Sequence, residues 1–159
     1  MMTHLTSEVL KALAGKTLAT AESCTGGMIG ELLTAVPGSS AVYKSGIISY
    51  TNEIKHKILG VDKMLLDREG AVSADVAKAM AEGARHILDA DIAVSVTGLA
   101  GPTGDDRGNP VGLVYIGYAD DKCSEVISCL FEGDREAVRT QAAEAALQII
   151  LVKNKGDIG

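Results

Sequence analysis

The chain has 159 residues, 47% of them hydrophobic but only 3% aromatic, no Trp, and a formal net charge of −6. That acidity argues against nucleic acid as a partner, which needs a basic face, but a local pocket can still oppose the global sign and take a small anion. No apolar run approaches the roughly 18 residues of a membrane span, so no membrane partner is expected, and the three scattered His and three scattered Cys lack metal-ligand spacing, so no metal and no cofactor is expected.

An odd Cys count without a secretory signal fits a reducing, cytoplasmic location. A chain of this length buries roughly 68–70% of its unfolded surface, enough for one domain without a disulfide staple. A core of Ala, Val, Ile and Leu suits parallel strands covered by helices.

In chain order, residues 3–14 read as a helix carrying Leu5, Val9, Leu10 and Leu13 on one face, ended by Gly15. A short buried strand over 17–22 runs into the polar turn Glu22-Ser23-Cys24-Thr25-Gly26-Gly27, and a helix is expected from about 25 to 35. Pro37-Gly38-Ser39-Ser40 is a turn, 41–50 a strand, and 51–59 a helix. Residues 61–69 read as a short connector. Ser73 caps a strong helix over 73–89.

Residues 91–97 form a buried strand that empties into the glycine-rich loop 98–104. Strands at 111–118 and 122–131 pair as a hairpin across Ala119-Asp120-Asp121, and a helix over 133–152 closes the chain, with 153–159 expected to fray. The expected fold class is therefore α/β: a single three-layer α/β/α domain, residues 1–159, with a mixed sheet of about five strands and a C-terminal antiparallel hairpin. Apolar, Ala-rich helices make a homo-oligomer the expected assembly.

The glycine-bearing loops at 22–27 and 98–104 each follow a buried strand, so both are expected to face one crevice beyond the strands' carboxyl ends. Ser23 and Thr25 have two readings, as helix caps or as displayed hydroxyls beside an anion site. Cys24 reads as a packed hydrophobe or as a rival nucleophile. No Ser-His-Asp set is evident, so a Ser nucleophile needs another base. Lys55 can serve if desolvation lowers its pKa, with the Tyr50 phenol as relay and helix-start N–H groups as oxyanion donors. The alternative is an exposed Lys and a Tyr at the core edge. Arg135 and Arg139 share a helix face, and either could reach a phosphate.

These segments together resemble the C-terminal domain family of the competence/damage-inducible protein CinA. The resemblance rests on Ala21-Glu22-Ser23-Cys24-Thr25-Gly26-Gly27, Ser49-Tyr50-Thr51-Asn52-Glu53 with Lys55, Thr97-Gly98-Leu99-Ala100-Gly101-Pro102, Val111-Gly112, and Gly133-Asp134-Arg135 with Arg139, and it covers about residues 6–150. It implies a metal-free Ser/Lys amidase that deamidates nicotinamide mononucleotide (NMN) to nicotinate mononucleotide and ammonia in pyridine nucleotide recycling.

The resemblance also implies roles. Ser23 would be the nucleophile, Lys55 the general base and Tyr50 an assisting hydroxyl. Cys24, Thr25, Gly26, Gly27, Asn52, Thr97, Gly98, Gly101 and Arg139 would line the site and hold the small-molecule substrate. Some members carry a further N-terminal pyrophosphatase domain, and this chain is expected to match the stand-alone form. It departs from the family where Thr103-Gly104 leads into Asp105-Asp106 in place of further glycines. Carboxylates there would repel an anionic substrate unless they point to solvent. The competing reading is a non-catalytic nucleotide-binding regulatory module.

Overall fold

The computed structural model describes residues 2–155. Strands β1 (Leu18–Glu22), β2 (Tyr43–Ile48), β3 (Ile92–Gly98), β4 (Leu113–Ala119) and β5 (Ser124–Leu130) form one sheet in the order β2-β1-β3-β4-β5. β1 is parallel to both β2 and β3, whereas β4 and β5 add antiparallel as the expected hairpin. β1 and β3 lie in the middle and are buried almost throughout, which is why their sequences are apolar runs without alternation.

Six α-helices accompany the sheet among the described residues: α1 (Met2–Ala12), α2 (Met28–Thr34), α3 (Asn52–Lys57), α4 (Lys63–Glu69), α5 (Ala74–Ile87) and α6 (Arg135–Asn154). One core joins Val9, Leu13, Ile29, Leu33, Val138 and Leu147 of the α1, α2 and α6 layer to Val94, Val96 and Ile116 of the sheet. A second, on the other face, packs Val76, Met80 and Ala84 of α5 against Ala19, Ala21 and Ala93. Each large aliphatic side chain buried in this way contributes roughly 1.5–3 kcal/mol. α5 approaches the sheet closely at Gly117, where an added Cβ would lie 2.4 Å from the Ala77 carbonyl oxygen.

Several boundaries differ from the sequence reading. Residues 63–69 are a helix rather than a connector, started by the Asp62 side chain accepting from Met64 N–H at 3.0 Å. The strand expected over 41–50 shortens to β2 because Ser39–Ala41 turns in 3₁₀ geometry. α6 continues through Lys153 and Asn154, so the expected fraying does not begin at 153, and 156–159 lie outside the described residues. Asn154 fastens that end by donating to the buried Tyr118 hydroxyl at 3.1 Å. The expected cap at Ser73 is present, and Asp134 caps α6 by accepting from Ala137 N–H.

α2 begins at Met28, and neither Ser23 nor Thr25 caps it. Its N-cap is Gly27, at φ 110°, a conformation that glycine adopts without the steric cost other residues meet. The three parallel strands all end toward the same side, so β1 delivers 23–27, β2 delivers 49–52 and β3 delivers 98–101 to one rim.

Candidate active site

A cavity of about 530 Å³ opens at that rim. Ser23 and Cys24 from the first loop line it, with Tyr50, Asn52 and Lys55 from the second segment and Thr97, Gly98 and Gly101 from the third. At its centre Lys55 Nζ lies 2.9 Å from Ser23 Oγ and donates to the Ser49 carbonyl oxygen at 2.8 Å. Lys55 is 1% exposed and Ser23 7%. Burial disfavours the ammonium form and pulls the Lys55 pKa from 10.5 down to about 8.

A short chain of contacts places that amine. Thr51 caps α3 by accepting from Ile54 N–H, which fixes the helix from which Lys55 reaches back. Ser49 N–H donates to the Glu22 carbonyl at 2.7 Å, tying the end of β2 to the end of β1. Once neutral, the amine keeps two N–H bonds and one lone pair. With an N–H given to the Ser49 carbonyl, the lone pair is available to the Ser23 hydroxyl.

Glu22 has a role that sequence reasoning missed. It is 2% exposed, and its carboxylate accepts from the N–H groups of Gly27, Ile29 and Gly30 at 3.2, 2.9 and 3.1 Å. A carboxylate at a helix N-terminus is favourable, and an acidic residue a few positions before a helix start was the available signal. The helix-start N–H groups expected to serve as oxyanion donors are therefore already occupied. Among the described residues, the N–H groups of Cys24 and Thr25 in the preceding turn have no protein acceptor. The Thr25 hydroxyl is buried and likewise without a partner. A buried hydroxyl without a partner costs about 1–3 kcal/mol, so Thr25→Val is expected to hold or raise the melting temperature, measured by calorimetry.

The other expected site residues divide. Thr97 lines the cavity while its hydroxyl donates to the Ala71 carbonyl at 2.8 Å. Tyr50 does not lie between Ser23 and Lys55. Tyr50 is 58% exposed, and its phenol oxygen accepts from Arg135 Nη2 at 3.2 Å. The direct Lys55–Ser23 contact leaves no gap for a phenol to bridge.

Thr25, Gly26, Gly27 and Arg139 are not brought to the cavity wall. Arg139 grips the back of the turn instead, Nε donating to the Cys24 carbonyl and Nη2 to the Thr25 carbonyl, both at 3.0 Å. The arginine at the cavity is Arg135, whose Nη1 donates to the Gly101 carbonyl at 2.7 Å. Gly98 answers a packing need, since an added Cβ would sit 2.7 Å from the Leu113 carbonyl oxygen. Burial raises the Cys24 thiol from 9.0 to about 11, which keeps it protonated and a poor nucleophile at neutral pH.

The acidic loop also resolves into parts. The Asp105 carboxylate folds onto its own loop, accepting from the Arg107 N–H at 3.1 Å and the Asn109 side-chain amide at 2.7 Å, contacts that hold its pKa below the usual carboxylate range. Arg107 spans to the end of α4, donating to the Asp67 and Arg68 carbonyls at 2.7 and 2.9 Å. Asp106 also lines the cavity. No helix among the described residues is long and apolar enough to cross a membrane.

Comparison with known proteins gives a consistent result. The profile of the CinA C-terminal domain matches residues 2–153. A CinA-like protein of Geobacter sulfurreducens is 53% identical over 133 residues, covering 84% of this chain and 32% of that protein. One from Anaeromyxobacter sp. strain K is 48% identical over 139 residues, covering 87% and 34%. The chain thus spans about a third of the length of the curated relatives it matches.

Among solved structures, a CinA superfamily protein from Klebsiella pneumoniae superposes with a TM-score of 0.95 at 34% identity, covering 98% of both chains. A competence/damage-inducible protein from Agrobacterium tumefaciens gives 0.93 at 36%, covering 96% of this chain and 95% of that one. By profile, by sequence identity and by fold, this chain belongs to the CinA C-terminal domain family.

Proposed function

We propose that residues 1–159 act as one amidase domain that hydrolyses the carboxamide of nicotinamide mononucleotide, giving nicotinate mononucleotide and ammonia. The observation that carries this reading is the buried 2.9 Å contact between Lys55 Nζ and Ser23 Oγ, with the amine pKa drawn down to about 8. Neutral Lys55 takes the Ser23 proton as Oγ attacks the carboxamide carbon. The tetrahedral oxyanion takes a hydrogen bond from the free Cys24 N–H of the turn. Lys55 returns the proton to the departing nitrogen, ammonia leaves, and a nicotinate ester remains on Ser23. Water, deprotonated by Lys55, attacks that ester, and Ser23 recovers its proton as the acid departs.

Family membership supports the assignment, and so does a cavity of about 530 Å³, within the usual range for small-molecule sites. The test is ammonia release from NMN by the purified chain, read in a coupled assay. Turnover supports the reading. Tight NMN binding without product over a long incubation would leave the nucleotide-binding module instead.

The pH dependence is a second check. Lys55 must be uncharged to act, so kcat/KM should climb about tenfold per pH unit below its pKa and level off near about 8. A flat profile between pH 6 and 9 would remove Lys55 as the base. Loss of activity on thiol alkylation with Cys24→Ser also inactive would reinstate Cys24.

A further inference from the structure

Arg139 is too far round the turn to line the cavity, yet it spends its side chain on two successive carbonyls there. In a trans peptide the C=O and the following N–H point in opposite directions. The Cys24 carbonyl faces Arg139 on the α6 side, so the Thr25 N–H of the same peptide plane faces away from Arg139. The neighbouring plane is fixed as well, because the Ser23 carbonyl accepts from Gly26 N–H at 3.0 Å, which turns the Cys24 N–H away from that bond. These are the two N–H groups left without a protein acceptor, and of the two residues it is Cys24 that lines the cavity beside Ser23.

We infer that Arg139 is a positioning residue that holds the Ser23–Thr25 turn so that the N–H of Cys24, on the cavity wall, forms the oxyanion site, and that it does not grip substrate itself. This rests on the reading of Ser23 as nucleophile, though not on which amide is cleaved. The forked guanidinium suits the task, because Nε and Nη2 reach both carbonyls at 3.0 Å in one plane. The ammonium of Lys is a single point and cannot hold both oxygens in that geometry.

The test compares Arg139→Lys with the wild type by three readouts. With NMN, kcat should fall about 10- to 100-fold with KM within about threefold, since loss of an oxyanion donor acts on the transition state. The rate at which a fluorophosphonate labels Ser23 should fall by a similar factor. In that reaction Oγ displaces fluoride from phosphorus while its proton passes to Lys55, so labelling needs the same N–H donor but no nucleotide. On a Ser23→Ala background, NMN affinity should be unchanged by Arg139→Lys. Added guanidinium should restore part of the labelling rate in Arg139→Ala, whose thermal melt reports whether it is folded.

A weakened NMN affinity with kcat retained would make Arg139 a substrate grip and overturn the proposal. So would an unchanged labelling rate in Arg139→Lys. Labelled wild type that fails to release ammonia from NMN would retire the substrate assignment and leave the Arg139 role standing. Failure of Ser23 to label at all would overturn both.

Discussion

Replacing Lys55 with methionine should lower NMN turnover by about 10³-fold or more, while the fold persists. Lys55 is 1% exposed, and Met fills nearly the same volume without an amine. General-base catalysis typically contributes about 10²- to 10⁴-fold, and here no other base lies within hydrogen-bond reach of Ser23 Oγ among the described residues. Ser23→Ala should lose as much, and the double variant no more than either single one, because the two groups act as a unit. Ammonia release measured for all three decides the matter. Retention of a tenth of wild-type activity in Lys55→Met would exclude the amine as base, and additive losses would separate the two residues' roles.

The same substitution should change how stability depends on pH. The Lys55 pKa is lower in the folded protein, at about 8, than the ordinary 10.5 of an unfolded chain. Between those values the unfolded chain binds more protons, so folded wild type gains stability as pH rises. Below about 8 the full cost of the buried charge is present, and above 10.5 it is gone. A difference of that size corresponds to roughly 3 kcal/mol. Lys55→Met lacks the group, so wild type should gain on the variant by about that amount between pH 7 and 10.5 in denaturant titrations. Parallel curves for the two proteins would show that the amine is not desolvated as the geometry implies.

Much of this arrangement was legible in the sequence, for identifiable reasons. The runs 18–22 and 92–98 lack alternation, which marks central parallel strands, and parallel strands send their following loops to one rim. Apolar runs of this kind are enough to place the Ser23 and Gly98 loops together. The seven-residue α4 escaped because two turns give too little periodicity to separate from a loop, although Asp62 was a usable cap.

Tyr50 and the two arginines escaped for another reason. Arg135 and Arg139 share a helix face one turn apart, and pattern alone does not say which turn meets the cavity. The structure gives Arg135 to Gly101 and Tyr50, and Arg139 to the turn that follows Ser23. The group that orients the Lys55 amine was invisible for the plainest reason, because it is the backbone carbonyl of Ser49.

Glu22→Ala should be the most damaging single change to the fold around the site, costing roughly 3 kcal/mol or more. Three backbone donors, those of Gly27, Ile29 and Gly30, end on this one buried carboxylate. A hydrogen bond to a charged group is worth about 1.5–3 kcal/mol, and donors left buried without a partner forfeit their hydration as well. For a chain of this size such a loss shifts the melting temperature by about 6–12 °C.

Glu22→Gln separates the carboxylate's charge from its shape. One amide oxygen can still serve Gly27 and Ile29, which now share Oε1, but an NH₂ would then face the Gly30 N–H, donor against donor. Its melting temperature should therefore fall between wild type and Glu22→Ala. Activity should fall in both variants below their melting temperatures, because the turn that carries Ser23 is closed over this carboxylate. If Glu22→Ala melts within 2 °C of wild type, the carboxylate does not hold the turn. The placement of Ser23 would then have to come from the Arg139 side alone.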